Sequence, residues 1–143
     1  MTEDGCQLTV PEGEIRARIT ALQTRLRERG LRGALVTGTV DRFYLSGTGQ
    51  DGLLWVDALD APRLFVLRDV NRARAETPID VVPVSGRREL WVRAGELFGV
   101  GAGVALDVLT PVDLLRLGVR DLAAVADITA DLLAQRARKS PWE

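Results

Sequence analysis

The sequence predicts an α/β fold, a single domain in which a mixed β-sheet of about six strands carries helices on both faces. Short apolar runs alternate with longer stretches whose apolar residues recur at helical spacing, the order that builds a parallel or mixed sheet. Two of the runs, Leu53 to Val56 and Leu64 to Leu67, flank the turn-rich segment DALDAPR of residues 57 to 63, so residues 53 to 67 form a hairpin and the sheet is not purely parallel. The 143 residues, 46% of them hydrophobic, match the size of one domain with a substantial core.

Residues 1 to 10 read as a flexible leader, residues 11 to 138 as the folded domain, and residues 139 to 143 as the start of a hinge. Pro11 at a first helical position, Glu12 and Glu14 in the first turn, and Arg25, Arg27 and Arg29 before Gly30 supply start, dipole and stop signals for the first helix. Its stripe is Ile15, Ile19, Leu22 and Leu26, and its arginines, interleaved with Glu, read as a solvated face rather than a basic patch. The stretch Gly33 to Val56 organises the rest of the chain. Ala34 to Val36 is a central strand, Val40 to Leu45 a one-turn helix, Gly47, Gly49 and Gly52 let the backbone turn, and Leu53 to Val56 is the return strand. Such a loop at the end of a central strand is where α/β sheets present groups to a ligand.

After the hairpin, Arg68 to Glu76 reads as a short polar helix and Ile79 to Val84 as a strand that Pro83 confines to an edge. Arg87 to Phe98 is amphipathic, with Leu90, Ala94, Leu97 and Phe98 inward. Gly103 to Leu109 is a strand, Thr110 caps a helix that begins at Pro111 with Asp113 in the capping-box position, Ala124 to Ile128 is the last strand, and Thr129 to Arg138 the last helix.

Composition excludes several functions. Nineteen basic against twenty acidic residues leave no net field to draw nucleic acid or an anionic membrane. The apolar runs are too short to span a bilayer and the acidic start Met1-Thr2-Glu3-Asp4 is not a signal peptide, so a cytoplasmic location is expected. Cys6 has no second cysteine to pair with and reads as incidental. The chain has no histidine, which closes most acid/base, nucleophile and transition-metal chemistry to it. Carboxylate chemistry, arginine recognition, or no chemistry remain.

Three features invite sharper readings. Residues 99 to 103, GVGAG, look like part of a dinucleotide fingerprint, but they follow a helix and open a strand, the reverse of what that motif requires. Asp107, Asp127 and Asp131 suggest a two-metal site, yet the central strand contributes no carboxylate, so surface and capping roles fit better. Phe43 and Tyr44 are pocket or core residues, with core favoured, and Trp55 is core.

The stretch Asp41-Arg42-Phe43-Tyr44-Leu45-Ser46-Gly47 resembles the N-x-x-Y-L-T/S-G element of the amino-terminal domain in the creatinase, prolidase and Xaa-Pro aminopeptidase family. Arg72 to Pro78 is similar to that family's R-A-x-x-E-S-P segment, Ala105 to Pro111 to its L-E-x-D-x-L-P segment, and Arg136 to Glu143 to its L-R-x-x-K-S-P-x-E hinge. Asp41 in place of Asn, Thr48 where an aromatic often follows the glycine, and the small Ala137 in the hinge depart from the pattern. The resemblance implies a ribonuclease-H-like topology and a non-catalytic domain, with no cofactor in this chain. It also implies an absent catalytic domain binding two divalent metal ions through two Asp, one His and two Glu, and acting on proline-containing peptides. The implied partners are that catalytic domain and a second copy of the chain in a homodimer, with neither nucleic acid nor membrane involved. By position, Tyr44, Gln50 and Asp51 become candidates for the rim of the substrate site, and no residue is a catalytic or metal-ligand candidate. The alternatives are a stand-alone binding or dimerisation module and, last, a small carboxylate-dependent hydrolase.

Overall fold

The central strands are apolar on both faces, and the sheet is accordingly covered on both. A computed structural model describes residues 9–99 and 101–138. The strands are β1 (Gly33–Val36), β2 (Gly52–Asp57), β3 (Arg63–Val66), β4 (Asp80–Pro83), β5 (Ala102–Val104) and β6 (Ala126–Asp127), and they form one sheet in the order β4-β3-β2-β1-β5-β6. β2 pairs antiparallel with both β1 and β3, whereas β3–β4, β1–β5 and β5–β6 are parallel. Hence β2 alone runs against the rest, and the carboxyl ends of the other strands gather at one end of the sheet.

The helices are α1 (Glu12–Glu28), α2 (Thr39–Ser46), α3 (Val70–Glu76), α4 (Arg87–Leu97), α5 (Pro111–Arg116) and α6 (Thr129–Ala137). The period of two along each strand sorts the core into two layers. Ala34, Val36, Leu54, Val56, Leu64 and Val66 face the stripe of α1, Leu45 of α2, Ala73 of α3 and Leu132 of α6. Leu35, Leu53, Trp55 and Phe65 face Leu90 and Ala94 of α4 and Leu117 at the end of α5. The mixed, doubly covered sheet and the hairpin of the sequence reading are therefore present, and Trp55 is fully buried.

Several boundaries differ from expectation, each for a local reason. Pro11 caps α1 instead of opening it, and α2 runs two turns before Gly47, at φ 85°, stops it by donating to the Phe43 carbonyl. α3 starts at Val70 because Asp69 adopts left-handed backbone angles. Pro83 ends the edge strand β4, where the missing N–H leaves no ladder bond unmade. The strand expected over residues 103 to 109 stops at Val104. The Leu106 amide donates to Asp127 Oδ1 at 3.1 Å, and residues Leu106–Val108 wind into a 3-10 turn. Likewise Asp121 Oδ1 accepts from the Ala123 amide at 3.0 Å, and a 3-10 turn at Leu122–Ala124 shortens the last strand to Ala126–Asp127. The capping box of α5 is formed in both directions, Asp113 N to Thr110 Oγ1 at 3.1 Å and Thr110 N to Asp113 Oδ2 at 3.2 Å. Cys6 and the hinge residues 139 to 143 lie outside the described residues.

Gly52 is the tightest point of the hairpin, for a Cβ there would stand 1.8 Å from the Phe65 carbonyl oxygen. Gly49, three residues earlier, has no neighbour within 4 Å of such an atom. Gly52→Ala is expected to lower unfolding stability by about 3 kcal/mol, and Gly49→Ala to change it by less than about 0.5 kcal/mol, as read by urea denaturation.

Candidate functional site

The end of the sheet at which the parallel strands finish collects α2, the loop of residues 47 to 51, the first turn of α4 and the 3-10 turn after β5. Three groups of side chains shape it.

The first joins helices. Arg18 lies on the buried side of α1, between Ile15 and Leu22 at helical spacing, and is only 6% exposed. Its Nη1 donates to the Tyr44 carbonyl at 2.8 Å, its Nε to Glu14 at 3.0 Å, and the guanidinium stands 4.2 Å from the centre of the Tyr44 ring. Gln135 of α6 closes the circuit, with Nε2 donating to the Arg18 carbonyl at 2.8 Å while the Gln135 carbonyl accepts from the Tyr44 hydroxyl at 3.3 Å.

The second group ties α2 to α6. Asp41, buried in the first turn of α2, lies 2.9 Å from Arg136 Nε. Burial holds its carboxyl above the usual carboxylate range; Arg136 opposes that shift and the charge of Asp107 adds to it. Asp127 accepts from the Leu106 amide at 3.1 Å, the Thr129 amide at 3.0 Å and the Thr129 hydroxyl at 2.6 Å. Burial pushes the Asp127 carboxyl up, but these bonds outweigh it and hold the group below its ordinary value. Asp131, by contrast, is paired with Arg25 of α1 and with Arg29 just after it. Of the three aspartates considered for metal chemistry, Asp107 accepts from the Thr129 hydroxyl at 3.2 Å, Asp127 holds the Leu106 and Thr129 amides, and Asp131 braces α1. Among the described residues no three His, Cys, Asp or Glu side chains gather as a metal site.

The third group is the loop itself. Thr48 is buried and its hydroxyl donates to Glu76 Oε1 at 2.6 Å, which pins the loop to the end of α3. The half-buried Gln50 donates its amide to Thr48 Oγ1 at 3.4 Å, and the exposed Asp51 accepts from Arg87 of α4 at 2.7 Å. Behind them Arg42 is buried, with Nη1 donating to the Thr37 carbonyl at 2.7 Å. Burial draws the Arg42 guanidinium below its ordinary value, against the opposing charge of Asp51.

Of the rim candidates, the structure places Gln50 and Asp51 side by side on the loop, while the ring and hydroxyl of Tyr44 meet α1 and α6. Phe43, which the sequence favours as core, is 46% exposed, and Val40 on the same helix is 62% exposed. The buried arginines were not singled out from sequence. Arg18 had a signal, since it falls on the apolar stripe, but apart from Glu14 its partners lie 26 and 117 residues away. Residues around the GVGAG stretch link α4 to β5, with the Gly101 carbonyl accepting from the Arg32 amide at 2.8 Å and Gly101 at φ 88°. Val100 lies outside the described residues, and no helix among them is long and apolar enough to cross a membrane.

Residues 18–138 match the family described as Creatinase/Prolidase N-terminal domain. The fold is similar to the Creatinase/Prolidase N-terminal domain of an X-Pro dipeptidase from Streptococcus pyogenes, at TM-score 0.67 and 20% identity, covering 82% of this chain and 98% of that one. The N-terminal domain of the cytoplasmic peptidase PepQ from Mycobacterium tuberculosis matches at TM-score 0.67 and 26% identity, over 84% of this chain and 98% of that one. The Xaa-Pro dipeptidase of Bacillus anthracis matches at TM-score 0.69 and 21% identity, over 90% of this chain but 38% of its own. No protein of curated function matches the chain.

Asp127 satisfies the amide that bends the chain out of β5 and the first amide of α6, so Asp127→Ala is expected to cost about 1–2 kcal/mol at neutral pH. Because its pKa is lowered on folding, this contribution is present above the usual carboxylate value of 3.8 and is lost as pH falls through the lower folded value. Urea titrations at pH 7 and at acid pH are expected to show the gap between variant and parent closing at acid pH.

Proposed function

The chain belongs to the Creatinase/Prolidase N-terminal domain family, and from that premise we propose that it is the non-catalytic amino-terminal domain of a metal-dependent Xaa-Pro peptidase, a dipeptidase or aminopeptidase. The observation that carries this reading is the family match over residues 18–138, together with a fold shared both by separate amino-terminal domains and by 38% of a longer dipeptidase. In this reading the domain contributes to dimerisation and to the rim of the substrate site, acts in the cytoplasm, and leaves hydrolysis to a further domain. The acids of the described residues do not fit the family's pair of divalent metal ions. Asp107 accepts from the Thr129 hydroxyl, Asp127 from that hydroxyl and two amides, Asp131 braces α1, Asp41 faces Arg136, and the chain has no histidine.

The rim role rests on the loop of residues 47 to 51, which Thr48 and Glu76 hold in place and on which Asp51 is exposed. A fixed loop limits substrate length, and the Asp51 carboxylate attracts a peptide amino terminus. Its pair with Arg87 is solvent-exposed, so exchanging that partner for a substrate amine costs little. The stand-alone binding module is the second reading, favoured by the open apolar side chains of Val40 and Phe43.

Release of proline from an Xaa-Pro dipeptide is expected from the longer gene product with Mn(II) or Co(II) and not from the 143-residue chain under the same conditions. Turnover by the chain alone overturns the proposal, and a gene that stops at the codon for Glu143 favours the binding module. In the longer enzyme, Asp51→Ala is expected to raise KM several-fold for peptides with a free amino terminus and leave kcat nearly unchanged. Identical kinetics for peptides of every length would remove the rim role.

A further inference from the structure

A cleft on the α4 side of the sheet is lined by Arg87, Arg88, Trp91, Val92 and Arg116, and its volume is about 400 Å³. Three of its five lining residues are arginine, in a protein whose net charge is −1. Arg87 is paired with Asp51 at 2.7 Å and Arg116 with Asp113 at 3.4 Å, but both arginines are more than half exposed. Exposed pairs of this kind hold their partners by no more than about 1 kcal/mol. Asp113 is also committed to the capping box of α5, and Asp51 feels the buried Arg42 as well as Arg87. Arg88 is exposed and has no acidic partner among the described residues. Arg87 and Arg88 stand, moreover, in the first turn of α4, where the helix dipole disfavours cations. Two of the three arginines thus have only exposed, weakly held acidic partners and Arg88 has none among the described residues, which leaves the cleft with a net positive charge.

The other two lining residues define the rest of the ligand. Trp91 is half-buried, with Arg116 5.8 Å from its ring centre, and Val92 is exposed beside it. Guanidinium groups pair bidentately with phosphate oxygens, an indole face stacks on a planar ring, and the volume suits a small molecule larger than a bare anion.

We propose that this cleft binds a nucleoside phosphate, with Arg88 and Arg87 on the phosphate and Trp91 against the base. Its side chains lie on α4 and α5 and it calls on no further domain, so its test does not depend on the peptidase-domain reading, which it meets only through the Arg87–Asp51 pair. Isothermal titration of the 143-residue chain at low salt, with AMP, inorganic phosphate and adenosine as probes, tests it. AMP is expected to bind at least tenfold more tightly than phosphate or adenosine. Arg88→Glu, at an exposed position that leaves folding intact, is expected to weaken AMP at least tenfold, and Trp91→Leu at least fivefold with an unchanged far-ultraviolet circular dichroism spectrum. No saturable AMP binding, AMP affinity unchanged by Arg88→Glu, or phosphate binding as tightly as AMP each overturns the proposal. So does an acidic peptide that binds where AMP does not, which would make the cleft a protein-docking surface.

Discussion

A guanidinium buried between three helices holds the first layer of the fold in register. Removing Arg18 from water carries a desolvation penalty of several kcal/mol, and such a charge is tolerated only when its donors are met in good geometry. Here Glu14 neutralises it, the Tyr44 carbonyl accepts from it, and the Tyr44 ring lies under it. Because those partners sit on α1 and α2, and Gln135 of α6 bonds both the Arg18 backbone and Tyr44, the three helices have one mutual arrangement. Apolar contact alone would leave them freer to slide, since Leu and Ile side chains repack at small cost.

That arrangement fixes the end of the sheet where the site lies. With α2 in place, Asp41 meets Arg136 and Gly47 turns the chain into the loop. Thr48 then reaches Glu76, and Asp51 is left at the edge facing α4. The segments that carry the family resemblance are thus tied together at this end of the sheet, directly by Asp41 and Arg136 and otherwise through residues beside them. Tyr44 meets the segment just before Arg136, Thr48 meets Glu76, and Asp107 receives the Thr129 hydroxyl at 3.2 Å. These long-range contacts define one end of the sheet, and the loop borrows its rigidity from them.

What was legible from sequence divides along the same line. Local signals were reliable because local physics decides them: the stripe of α1, the box formed by Thr110 and Asp113, the apolar runs of the central strands, and the edge position enforced by Pro83. The rest required partners distant in the chain. Residues 106 to 108 read as strand until Asp127, some twenty positions on, takes the Leu106 amide. Tyr44 read as rim or core because nothing nearby announces Arg18 or Gln135. Gln50 and Asp51 were legible as loop residues, while the pairing of Asp51 with Arg87 was not.

Net charge is the clearest case of a global number that conceals a local one. A balance of nineteen cations against twenty anions rules out a long-range field, and at physiological ionic strength fields decay over about 8 Å in any case. Within such a distance only the neighbours count. On α1, Arg16 and Arg18 pair with Glu12 and Glu14, Arg25 with Glu28, and Asp131 reaches across from α6 to brace Arg25 and Arg29, so most of these charges meet a partner. Where α4 meets α5 the acids are fewer and each is shared: Asp113 with its helix cap, Asp51 with two arginines. The same near-neutral composition therefore yields a quiet face and a cationic cleft. Which of the two an anion encounters depends on the fold, because helices brought together from distant parts of the chain decide which charges become neighbours.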